Sequence, residues 1–282
     1  MPLIIAIRMI STSCPNLARD RDHVASIVRP PDDGVMLDPD SADYPSVAAS
    51  VSTLDELDAS LVECRACPRL VAWRESVAAD KRAAFRDEEY WGRPVPGFGD
   101  RDARIVIVGL APAAHGANRT GRMFTGDRSG DFLFAGLHRA GLANQPVSIS
   151  REDGLELSGV RISAPVRCAP PANKPTPEER RRCAPWLARE LQLLGPSTQV
   201  LLALGAFGWH ALLASLTDLG WDVPRPAPVF AHGAEAALVA PDGRTVALLG
   251  CYHVSQQNTF TGKLTPHMLD SVLDRAVQLS RP

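Results

Sequence analysis

Two rhythms of apolar and polar positions alternate along the chain. Four short runs are almost unbroken in apolar character: Arg104–Leu110, Val160–Val166, Gln199–Leu204 and Thr245–Gly250. Runs of this length, apolar on both alternating faces, predict strands buried on both sides of a sheet. Between and after them the apolar residues recur at helical spacing: in Phe132–Leu142, in the segment from Thr176 to Leu194, in Gly205–Leu219, and in Met268, Leu269, Val272, Leu273 and Ala276. Thr53-Leu-Asp-Glu56 and Thr176-Pro-Glu-Glu179 read as capping boxes that open helices. Strands alternating with helices across long connections predict an α/β fold, a three-layer α/β/α domain around a mostly parallel, four-stranded sheet.

The pattern is missing from residues 1–50, which are rich in Asp, Ser and Pro. They are expected to be a disordered tail or sequence upstream of the true start, with Met36 as an internal start. The α/β domain is expected over residues 51–282. No apolar run reaches the roughly 20 residues of a membrane span. The opening MPLIIAIRMI lacks a basic stretch and a cleavage site. A cytoplasmic protein with no membrane partner, acting as a monomer, is therefore expected. The net charge of -2 is unevenly spread: residues 1–60 hold ten acidic and four basic side chains, whereas 161–182 hold six basic and two acidic. A basic face on the folded part is expected.

The candidate chemistry lies after the strands, where ligands of open α/β sheets bind. The first loop, Gly109–Gly130, carries His115, Asn118, Arg119, Arg122, Phe124, Asp127 and Arg128. The second carries Cys168, Asn173 and Lys174, and the third His253, Ser255, Gln256, Gln257, Asn258 and Lys263. The three should converge on one cleft. Cys64-Arg-Ala-Cys67 ends the first helix, and Cys168 and Cys183 flank a strand end and the next helix. Four thiolates from separate segments suit an iron–sulfur cluster or zinc. Cys14 and Cys251 fit neither.

Three of these stretches, GLAPAAHGANRTGRMFTGD (Gly109–Asp127), VRCAPPANKPTPEE (Val166–Glu179) and YHVSQQNTFTGKLT (Tyr252–Thr265), resemble the site motifs of the family 5 uracil-DNA glycosylases. CRACPRLVAWRE (Cys64–Glu75) resembles that family's first cluster motif. The resemblance runs from about Leu54 to the C-terminus. It implies a [4Fe–4S] cluster on Cys64, Cys67, Cys168 and Cys183. It also implies removal of uracil, and of other deaminated or damaged bases, from DNA.

In that role the base must be flipped out of the stack. Phe124 would stack on it, and the Asn173 amide would meet its pairing edge. Charge separation at the glycosidic bond asks for a donor near the departing base, His253, and a carboxylate with a water on the sugar side, Asp127. Ala111 stands where relatives in the wider superfamily carry a carboxylate or amide before the proline, which moves the carboxylate role to Asp127. His115 and Asn118 would hold the water or a phosphate. Arg119, Arg122, Lys174 and Lys263 would meet phosphates, and Ser255, Gln256, Gln257 and Asn258 would enter the groove or fill the gap behind the flipped base. With no lysine set for a Schiff base, water attack without strand cleavage is expected. Two rival readings are a nucleotide hydrolase using the Gly-rich loop, which lacks the GxxxxGK[ST] pattern, and a non-catalytic iron–sulfur or zinc DNA-binding module.

Overall fold

A computed structural model describes residues 44–281. Ahead of the sheet lie α1 (Tyr44–Ser50), α2 (Leu54–Leu61) and α3 (Pro68–Asp80). The sheet region runs β1 (Phe98–Gly99), β2 (Ile105–Val108), α4 (Ala117–Thr120), α5 (Arg128–Arg139), β3 (Val160–Ser163), α6 (Pro177–Leu194), β4 (Val200–Leu204) and α7 (Gly205–Asp218). It ends with β5 (Glu235–Val239), β6 (Thr245–Cys251), α8 (Gln256–Phe260) and α9 (Pro266–Leu279). The Thr53 and Thr176 capping boxes both form, which fixes where α2 and α6 begin.

The strand order is β1-β3-β2-β4-β6-β5. Strands β3, β2, β4 and β6 are parallel and in register, Ile105 pairing with both Val160 and Val200, and Val200 with Ala247. Their backbones carry the four predicted apolar runs. Every residue of β2, β3 and β4 is buried, so helices must cover both faces. On one face α5 and α9 pack Leu133, Phe134, Leu137, Leu269 and Leu273 onto the sheet. On the other, α2, α6 and α7 bring Leu57, Leu61, Trp186, Leu187, Trp209 and Leu212.

Two expectations change, and a helix is added after Pro68. The sheet has six strands, not four, because an antiparallel strand is added at each edge. β1 is two residues within a Pro/Gly run, and edge strand β5 is largely exposed, so neither carries the signature of a central strand. The expected tail overlaps the fold: Tyr44–Ser50 is helical, with Tyr44 and Ala48 buried and the Tyr44 hydroxyl accepting from the Arg65 amide at 3.0 Å. The rest of that expected tail, residues 1–43, together with Cys14 and Met36, lies outside the described residues. Finally, the charged segment after Pro68 is the 13-residue helix α3, whose buried side holds Leu70, Val71, Arg74 and Val77.

Candidate active site

All four parallel strands end at the same sheet edge, and three of them release the polar loops there. The loop after β2 carries Phe124 over the strand ends. Its backbone is left-handed, φ 54°, a conformation costing about 1–3 kcal/mol for a non-glycine residue. The first turn of α5 locks it in place: a Cβ at Gly130 would overlap the Phe124 carbonyl oxygen. The loop after β3 holds Ala172 and Asn173, also left-handed, at φ 53° and 56°. Asn173 is exposed, and its amide has no hydrogen-bond partner among the described residues. The loop after β6 delivers His253, whose ring centroid stands 6.1 Å from that of Phe124 at 38°.

These side chains line one cavity of about 430 Å³ with Ala111, Pro112, Asp127, Ser255 and Gln257. Asp127 caps α5: Oδ1 accepts from Ser129 N at 2.9 Å and Gly130 N at 3.0 Å. Oδ2 faces Gly116, where a Cβ would strike it. Burial raises the Asp127 pKa above the ordinary carboxylate value, against the pull of those two amides. Burial pushes His253 the other way, down to about 4, so its imidazole is neutral through the physiological range.

A second cavity of about 590 Å³ adjoins the first, sharing Ala113, Asp127, Ala172 and Asn173. Trp73, Arg82, Phe85, His115, Arg128 and Gln256 line the rest. His115 Nδ1 lies 3.1 Å from the Tyr90 hydroxyl. Burial, with the Arg82 and Arg119 charges nearby, lowers the His115 pKa.

Several expected roles do not fit this geometry. Arg119 is buried, ion-paired with Glu88, and donates to the carbonyls of His115 and Gly126, each at 2.9 Å. Arg122 is buried against Thr125, Ser148 and Asp153 at 2.6–2.9 Å. Neither is presented to a phosphate; both brace the loop. Asn118 is fully buried and donates to the Arg74 and Ala114 carbonyls, so it lies behind the cavity and not in it. Asn258 Nδ2 donates to the His253 carbonyl at 2.8 Å, fixing the turn that aims the imidazole. Two of the six basic residues of 161–182 are interior as well. Arg161 and Arg167 share buried Glu190, whose pKa burial alone would raise and the two guanidiniums hold at about 2.

The cations that do face the cavities are ones the sequence did not single out in this role. Arg82 and Arg128 are exposed at the wall of the second cavity, and neither guanidinium has an ion pair or hydrogen bond among the described residues. Lys174 is exposed beside Asn173, and Lys263 is exposed with its Nζ 4.9 Å above the Tyr252 ring. Pairing decides which arginine is free, and the partners Glu88 and Asp153 each lie 31 residues from theirs.

The uracil DNA glycosylase superfamily model matches residues 96–276, the sheet and all three loops. The chain belongs to the uracil-DNA glycosylase superfamily. Within it, the similarity is to the type-5 uracil-DNA glycosylases. The Mycobacterium tuberculosis relative is 55% identical over 234 residues, 83% of this chain and 84% of its own. That of Mycobacterium leprae is 54% identical over 83% of this chain and 99% of its own, and that of Thermus thermophilus 55% over 78% and 95%. A type-4 uracil-DNA glycosylase of Thermotoga maritima is 36% identical over 40% of this chain.

Beside this sheet edge the four expected cysteines surround one narrow space, lined also by Leu70, Val71 and Arg167. Among the described residues no three His, Cys, Asp or Glu side chains converge on a single ion. Burial drives the thiol pKa values up, Cys67 to about 12 and Cys168 to about 11. Against that, buried N–H groups crowd the site: Arg74 Nη1 donates to Cys168 Sγ at 2.9 Å and the Arg167 amide to Cys183 Sγ at 3.3 Å. Trp186 donates toward the Cys64 thiol, and Arg74 Nε and Arg167 Nε and Nη1 are buried without a partner among the described residues. Donors left over beside four soft ligands fit a thiolate-held, anionic group.

Proposed function

We propose that the protein hydrolyses the N-glycosidic bond of uracil, and of other deaminated or damaged bases, in DNA, without cutting the strand. The reading rests above all on one observation: Phe124, Asn173, His253 and Asp127 line a single cavity. The extruded base stacks on Phe124 and pairs with the Asn173 amide. As the bond breaks, electron density moves onto the base. His253, neutral because its pKa lies near 4, donates a hydrogen bond to the oxygen where that charge gathers. Asp127 is in its charged form above its raised pKa. The oxygen not committed to the helix stabilises the cationic sugar and orients the attacking water. Ala111 keeps the wall beside it small enough for that water.

The DNA backbone passes over the rim of the second cavity, held by Arg82 and Arg128 with Lys174 and Lys263. His115 lies behind this rim. Ser255, Gln256 and Gln257 enter the space that the base leaves. Cys64, Cys67, Cys168 and Cys183 would hold a [4Fe–4S] cluster, which when bound cross-links the α2–α3 turn, the loop after β3 and α6. Thiolates of this kind belong in a reducing compartment, in line with a cytoplasmic enzyme. One chain carries every side chain named, in line with a monomer, and among the described residues no helix is long and apolar enough to cross a membrane.

A uracil-containing oligonucleotide incubated with the protein and then heated in alkali should break at the uracil, and should stay intact without the alkali step. An intact strand after alkali removes the proposal. Breakage without alkali replaces water attack by a lyase reaction.

A further inference from the structure

Arg74 is 1% exposed, and its one carboxylate contact among the described residues is long. Its nearest acid, Glu75, stands 4.0 Å away, is half exposed, and is held in a two-pronged bond by Arg65. The acceptors that the guanidinium does meet are Cys168 Sγ at 2.9 Å and the Cys64 carbonyl at 3.2 Å, while Nε meets none. Both contacts are to residues of the cysteine set. A buried guanidinium without an anion is too costly to persist in a fold. Arg161 and Arg167, the other buried arginines near this site, share the buried Glu190 at hydrogen-bond distance, whereas Arg74 has only the distant, half-exposed Glu75.

We propose that Arg74 is the dedicated counter-charge of the cluster held by Cys64, Cys67, Cys168 and Cys183. Through its N–H···S bond to Cys168 it sets both the retention and the reduction potential of that cluster. This rests on the cluster reading given above. The anion that Arg74 needs at close range is the four-thiolate group itself, and the cluster in turn receives a buried cation that no carboxylate among the described residues holds within hydrogen-bond distance. Reduction adds one negative charge to the cluster. A fixed positive charge at hydrogen-bond distance from a ligand sulfur favours that state and raises the potential. The same residue touches the active loop, since its carbonyl accepts from Asn118 Nδ2 at 3.2 Å. Arg74 is thus a positioning residue and does not meet the DNA.

The test compares iron-loaded wild type with Arg74→Met and Arg74→Lys. Iron loss to an excess of EDTA is followed by the cluster absorbance, and the midpoint potential by dithionite titration with dye mediators. Arg74→Met should lose iron about tenfold faster, as expected for a deleted hydrogen bond to a charged group, and titrate at a more negative potential. Arg74→Lys keeps a point charge without the planar fork and should fall between. Should Arg74→Met fail to fold, Arg74→Lys carries the comparison, and a wild-type potential in that variant overturns the proposal. Iron retention and potential both unchanged in Arg74→Met overturn it too, while leaving the cluster reading intact. Wild type purified without iron overturns both.

Discussion

The two oxygens of Asp127 have different surroundings, and the proposed chemistry falls to the one that α5 does not use. Oδ1 caps α5, and Oδ2 is turned toward Gly116 at the cavities. Asp127→Asn keeps a capping oxygen but removes the charge. It should therefore lower kcat for uracil release at least a hundredfold, with thermal stability reduced by no more than about 1 kcal/mol. Because burial raises the Asp127 pKa, activity should fall on acidification at a pH above that of an ordinary aspartate, as the needed carboxylate is protonated. His253, neutral down to about 4, stays in its donor form through the neutral range, and Asp127→Asn should remove the acid limb if Asp127 causes it. The two assignments separate in a pH–rate profile, where His253→Ala lowers the plateau without moving the limb. His253 also affects stability: a histidine lowered from 6.5 to about 4 contributes stability at neutral pH that disappears as pH falls between those values. At residue scale the placement of Phe124 and Asn173 on one cavity was legible, an aromatic and an amide in loops after strands. Their left-handed backbones, which aim them, were not, because φ follows from packing such as that of Gly130 beneath Phe124. Arg119 and Arg122 were read as free for the opposite reason. Nothing local in the sequence announces the Glu88 and Asp153 that hold them.

At the scale of elements, caps and apolar periods located α2, α6, α7 and α9, and the four parallel strands fell on the predicted runs. What escaped notice was built by tertiary context. β5 pairs along its whole length with β6 yet is largely exposed, and β1 gains its two pairs only because β3 lies alongside. α1 is seven residues long and would be marginal alone. It is held because Tyr44, Ala48 and Val51 enter the core between α2 and α6, and Arg189 donates to the Val51 carbonyl. Removal of residues 1–50 should accordingly lower the melting temperature, whereas removal of residues 1–43 should leave it nearer that of the full chain. Differential scanning calorimetry of the two truncations decides between them. The wall proposed to face DNA is likewise made by elements far apart in sequence. Arg82 follows α3 and Arg128 opens α5, and both line one cavity. Arg82→Gln with Arg128→Gln should weaken binding to a uracil-containing duplex and flatten the plot of log K against log[salt] by up to about two. kcat at saturating DNA should stay near wild type. An unchanged salt slope would put the phosphates elsewhere.

Across the whole molecule, the site exists because four parallel strands end at one edge while two layers of helix hold them in register. The cysteine set sits to one side of that edge and joins parts that the sheet does not. Cys64 and Cys67 bound the short turn between α2 and α3, Cys168 follows β3, and Cys183 lies in α6. Cys168 is five residues before Asn173 in the same loop, and α3 meets the first loop through the Arg74 carbonyl and Asn118. A group bound there would brace two of the three loops at once while staying out of the base cavity, since none of the four cysteines lines it. Stripping iron should for this reason act first on order and only then on chemistry. The melting temperature should drop by several degrees, at about 2–4 °C per kcal/mol for a domain of this size. Proteolysis should begin near the α2–α3 turn and the loop after β3, while α5 and α9, packed on the other face with Leu133, Leu137, Leu269 and Leu273, stay protected. Limited proteolysis with mass spectrometry, run beside single-turnover uracil release, gives the order of events. Loss of turnover in protein that still resists cleavage at both loops would instead place the cluster in the chemical step, where no contact of its ligands with the base cavity supports it.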